Sequence, residues 1–132
     1  MTVEECYEKM GGDYADVMSR LRTDERVKRF LLKVAEDASF NNLCENIAAH
    51  NIEEAFRAAH TLKGVCSNLS LTKLQRSASA ITEVLRGKTE YSAEFEPYLD
   101  NVKEDYAVTV DCIKNLDYSF YPRKKVYNFF VL

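Results

Sequence analysis

The residues best placed to do chemistry sit together in Ala58-Ala59-His60-Thr61-Leu62-Lys63-Gly64, where an imidazole, an ammonium and a glycine fall at i, i+3 and i+4. An imidazole with an unperturbed pKa of about 6.5 is largely neutral at pH 7, so a ring nitrogen is available as a nucleophile. A lysine one helical turn away can set a point charge against phosphoryl oxygens. Glycine in a helix interior costs about 1 kcal/mol relative to alanine, so Gly64 suggests that something must approach the backbone closely there. A lone surface histidine or lysine is ordinary. The combination points to acceptance of a phosphoryl group carried by a bulky partner.

These residues need a helix to hold them, and the pattern predicts one from about Ile52 to Leu69. At about 100° per residue, Ile52, Ala55, Phe56, Ala59, Leu62, Cys66 and Leu69 share one core-facing stripe. His60, Gly64 and Ser67 line up on a flank facing away from it, with Arg57 and Lys63 on either side.

Ala59-His60-Thr61-Leu62-Lys63-Gly64, followed by Leu69 and Leu71, resembles the motif of histidine phosphotransfer (HPt) domains, the phosphocarriers of multistep two-component relays. The similarity covers roughly residues 24–116, and His-x-x-Lys-Gly is its specific part. The resemblance implies a phosphoryl group carried on His60 between receiver aspartates of response regulators, with Lys63 stabilising its charge and Gly64 giving steric access. It implies receiver domains and a sensor or hybrid histidine kinase as partners. No intrinsic cofactor is expected, and Mg²⁺ is expected on the partner receiver, because no carboxylate cluster or nucleotide-binding glycine loop stands out here. Two positions depart from the family pattern: Cys66 stands where a small Ser or Ala is usual, and Ser70 where Gly is frequent.

With 132 residues, the chain is most simply one domain, here bounded as 1–116 with its core at 24–116 and a tail at 117–132. A net charge of −3, with both signs interspersed, lacks the basic stripe of a nucleic-acid binder. There is no cationic leader followed by an apolar run and no apolar stretch of membrane-spanning length, so a cytoplasmic monomer without membrane contact is expected. Cys6, Cys44, Cys66 and Cys112 are widely spaced and read as reduced thiols, and no histidine pair has metal-ligand spacing.

Along the chain, Thr2 with Glu5 predicts a capping box opening a short helix that stops at Gly11-Gly12, and Asp13 caps a second. A third begins at Thr23 or Asp24, with Val27, Phe30, Leu31 and Val34 inward. Ser39, Asn51 and Ser70 are read as caps of the next three helices, and Leu71, Leu74, Ala78, Ile81 and Leu85 as a bundle seam. Ser92 opens the last long helix, with an irregular start near Glu96 because of Pro97. The sum is an all-α protein: an up-and-down antiparallel four-helix bundle with additional short N-terminal helices packed across one end. The helix after Ser70 returns past His60, which makes Ser79, Thr82 and Arg86 supporting candidates beside Arg57 and Ser67. Receiver docking is expected on the His60 flank, with Tyr14, Met18 or Leu21 of the N-terminal helices at the rim; these helices are expected to lie outside the four-helix core, so deletion of residues 1–22 should weaken receiver binding more than folding.

The tail from Tyr118 to Leu132 is aromatic and apolar without helical period, and partial burial is expected for it. Two other functions compete with the phosphocarrier: a phosphorylation-silent helical adaptor that binds receivers or kinases, and the phosphoacceptor module of a chemotaxis-type histidine kinase.

Overall fold

The computed structural model describes residues 1–118; apart from Tyr118, the tail expected to be partly buried lies outside the described residues. The described residues form α1 (Val3–Met10), α2 (Tyr14–Leu21), α3 (Asp24–Glu36), α4 (Ser39–Ala48), α5 (Ile52–Asn68), α6 (Thr72–Leu85) and α7 (Glu96–Lys114). A short 3-10 turn, Ala93–Phe95, leads into α7, and Pro97 occupies its first turn, where a missing N–H costs nothing.

Helices α4 to α7 are the four-helix bundle. The central helix α5 packs chiefly against α6 and α4, α6 packs against α7, and the Phe40 and Tyr106 rings meet at 3.8 Å between α4 and α7. The stripe on α5 is buried as its spacing requires: Ile52, Ala55, Ala59, Leu62 and Cys66 face inward. So does the α6 seam of Leu71, Leu74, Ala78, Ile81 and Leu85. Burial pushes the Cys66 thiol up to about 12, which leaves it a neutral small hydrophobe. All four cysteines are free.

Thr2, Asp13, Thr23 and Ser92 cap their helices through side-chain oxygens that accept backbone N–H groups. Three expected caps are different. Before α4, the Asp37 carboxylate accepts the Ser39 N–H at 2.8 Å, because Ala38 is already in helical conformation and the cap has moved upstream. Asn51 precedes α5 and makes no side-chain cap bond; with ψ at 78° it lacks the extended backbone that aims a capping oxygen. Leu71, not Ser70, precedes α6.

Ser70 instead closes α5. Its φ is +55°, its N–H donates to Ser67 O, and Leu71 N donates to Cys66 O, which is a Schellman termination with serine in the left-handed position. The turn therefore keeps the conformation that glycine would give it. His50 ends α4 in the same manner at φ +62°, with its ring stacked on Tyr91 at 4.2 Å. It lies in a turn, not on a helix.

The N-terminal helices do cross the bundle end that carries the α5–α6 turn, and they are fastened there. Tyr7 Oη donates to Leu69 O at 2.8 Å, Asp13 N to Ser70 O at 2.9 Å, and Lys73 N to Gly11 O at 3.2 Å. The Ser70 hydroxyl donates to Asp16 and accepts from Arg20, and Arg20 also reaches Asn68 O. A Cβ at Gly12 would stand 2.7 Å from the Tyr7 ring and 2.9 Å from Ser70 O, so only glycine lets the two segments come this close. Val3, Cys6, Tyr7, Met10 and Val17 are all buried. The segment thus contributes to the core instead of lying outside it. At the other terminus Tyr118 is buried, and its hydroxyl donates to Ile113 O at 2.6 Å, so the packed structure continues past residue 116.

Candidate functional site

His60 stands in the middle of α5 on the face opposite its buried stripe, and it is exposed. The two alanines before it, Ala58 and Ala59, are buried. Small side chains there bring α5 close to its neighbours while leaving the flank above them open. Lys63 is half-buried one turn on, and among the described residues it has no ion-pair partner. Its stem is packed and its charge is uncommitted.

Gly64 is the most informative position. A Cβ built there meets no atom within 4 Å, and its backbone is ordinary helix. Among the described residues nothing in the packing requires glycine here, so its cost to the helix, about 1 kcal/mol, is not offset by them. What the missing side chain provides is open surface directly beside His60 and Lys63.

The remaining candidates divide. Arg57 is held by Glu54 at 2.6 Å, one turn towards the start of α5, and both side chains are mostly exposed. Ser67 is exposed and its carbonyl is used in the α5 termination. Ser79 on α6 is half-buried. Thr82 is fully buried, with its hydroxyl donated to Ala78 O at 2.6 Å within its own helix, so it presents no surface to a docking partner. Its neighbour Ile81 and the inward Ala78 place this side of α6 in the core.

Arg86 does reach the site. Its guanidinium lies 5.1 Å from the centre of the Phe56 ring, and that ring lies 6.1 Å from the His60 ring. Phe56, read from the sequence as a core residue, is only half-buried, and its ring lies near both the imidazole and the guanidinium. Glu83 was not a candidate at all. Its carboxylate accepts from Arg86 Nη2 at 3.0 Å and Nε at 3.2 Å. Hydrogen bonding to Arg86, then the Arg86 charge, holds the Glu83 carboxyl below its usual value, and Lys63 and His60 add to the same effect. The only signal in the sequence was the Glu83–Arg86 spacing of three, common to many exposed helical pairs.

Between α3 and α5, an open groove of about 430 Å³ is lined by Leu21, Phe30, Val34, Val65 and Leu69 together with Lys33, Asp37 and Asn68. Phe30 is 41% exposed there, not inward as its spacing suggested. Of the three expected rim residues, Leu21 lines this groove, Met18 packs against the core, and the Tyr14 hydroxyl is donated to Asp24.

Among the described residues no three His, Cys, Asp or Glu side chains converge as a metal site, and no helix is long and apolar enough to cross a membrane. A family model described as the Hpt domain matches residues 27–111, more than half of the chain. Comparison with curated proteins and with solved structures returns no match.

Proposed function

Because the chain belongs to the Hpt domain family, phosphocarriers that work with receiver domains and kinases in phosphorelays, we propose that His60 is its phosphoacceptor. A ring nitrogen of His60 attacks the acyl phosphate of a receiver aspartate. The P–O bond to the aspartate breaks, an N–P bond forms, the carboxylate leaves and the ring proton passes to solvent. The reverse sequence loads the next receiver. Lys63 offsets the charge developing on the phosphoryl oxygens, and Arg86, against the same Phe56 ring as His60, is a second cation in the neighbourhood. The Mg²⁺ and most of the transition-state stabilisation belong to the receiver.

The observation that carries this reading is Gly64, a helix-weakening residue with no internal reason, beside an exposed histidine and an uncommitted lysine. A silent adaptor that binds receivers would share the clearance but would not need the imidazole or the lysine charge. The groove between α3 and α5, apolar at Leu21, Phe30, Val34, Val65 and Leu69 with Lys33, Asp37 and Asn68 around them, is of a kind that suits docking by a receiver.

The test is transfer of radiolabel from a phosphorylated receiver. Acid-labile, base-stable label should appear on the protein and vanish in His60→Gln. Label that persists in that variant would sink the assignment, and label from an isolated ATP-bound kinase domain alone would favour the chemotaxis-type module.

A further inference from the structure

The Glu83–Arg86 pair has little to do for stability. Both side chains are more than half exposed, and such an exposed pair at i, i+3 adds little to stability. Its position is what matters. Arg86 lies 5.1 Å from the Phe56 ring centre and the His60 ring 6.1 Å from the same centre, so the pair shares that ring with the imidazole. A carboxylate in this place opposes a phosphoryl group on His60, both by repulsion and by keeping the Arg86 fork occupied. A site built only to retain phosphate would carry no such group.

We infer that Glu83 sets the phosphoryl-transfer potential of His60, by holding Arg86 away from the phosphoryl group so that the phosphohistidine is passed on rather than kept. The inference rests on the phosphocarrier reading above and adds to it a positioning residue that acts through Arg86. The electrostatic coupling of Glu83 to Lys63 and His60 supports the geometry. One charge across this span should change the equilibrium roughly three- to ten-fold at low salt, where the screening length is about 30 Å, and less at physiological ionic strength, where it is about 8 Å.

The experiment uses the full chain and N-phosphoryl imidazole as donor. One N–P bond breaks as another forms, and the His60 ring proton moves to the released imidazole, so the equilibrium constant reports the surroundings of His60. Followed by ³¹P NMR at low salt, Glu83→Gln should raise that constant roughly three- to ten-fold. Raising KCl to about 1 M should erase the difference, because the screening length falls to about 3 Å. Glu83→Gln/Arg86→Gln removes one charge of each sign and should return to within about twofold of the unmodified chain. A change below about twofold in Glu83→Gln, or one that survives about 1 M KCl, overturns the electrostatic role while leaving His60 as acceptor. A gain undiminished in the double variant overturns the part played by Arg86. If the unmodified chain takes no label that His60→Gln abolishes, the phosphocarrier reading fails and this inference with it.

Discussion

Replacing Gly64 separates what the helix wants from what a partner needs. The position is interior to α5, has ordinary helical backbone, and offers open space to a Cβ. Gly64→Ala should therefore stabilise the free protein by about 0.8–1 kcal/mol, the difference in helix propensity. For a chain of this size that corresponds to a rise of roughly 3–5 °C in melting temperature. Gly64→Leu adds no internal clash and should leave the helix intact, but its side chain would project into the surface beside His60. Phosphorylation by a receiver should then fall steeply, while labelling by a small donor such as N-phosphoryl imidazole continues. Circular-dichroism melting and the two labelling assays, run on the same samples, check both halves. A Gly64→Ala protein that melts lower would show that the chain itself requires glycine here. Equal loss with both donors in Gly64→Leu would show that the residue acts on His60 chemistry and not on access.

Lys63→Ala should slow transfer by about ten- to a hundred-fold with little change in melting temperature, since the uncommitted ammonium serves the phosphoryl group and not the fold; rapid-quench labelling measures it. Tyr7→Phe leaves the Leu69 carbonyl without its buried hydroxyl donor and should cost about 1–3 kcal/mol in urea denaturation. Removal of residues 1–22 strips five buried side chains, each contributing about 1.5–3 kcal/mol, so the truncated chain should lose its cooperative melt. The Ser70 hydroxyl, then Arg20, holds the Asp16 carboxyl below its usual value. Its folded pKa is thus lower than the unfolded one, so its stabilisation is fully present above the ordinary carboxylate pKa and is lost as pH falls through the depressed value. Asp16→Asn should flatten that part of the acid limb of a stability-against-pH curve; an unchanged limb would remove the clamp from the acid response.

The local sequence determined a great deal, because helix period and capping chemistry are short-range. Spacing alone put Ile52, Ala55, Ala59, Leu62 and Cys66 on the buried face of α5 and left His60, Lys63 and Gly64 together on its flank. Thr2, Asp13, Thr23 and Ser92 were legible as caps, since a capping oxygen bonds an amide only a few residues away. The left-handed Ser70 was not legible. Its conformation is held by the Schellman bonds and by Arg20 and Asp16, which lie 50 and 54 positions earlier in the chain. The same holds for the surroundings of His60. That α6 returns past the histidine follows from topology, but which of its residues looks across depends on the rotation and crossing of two packed helices. The tertiary structure turned Thr82 into the core and brought Arg86, with Glu83, onto the Phe56 ring. Residues three or four apart on one helix are neighbours by the geometry of that helix, whereas neighbours on two helices are chosen by how their side chains interlock.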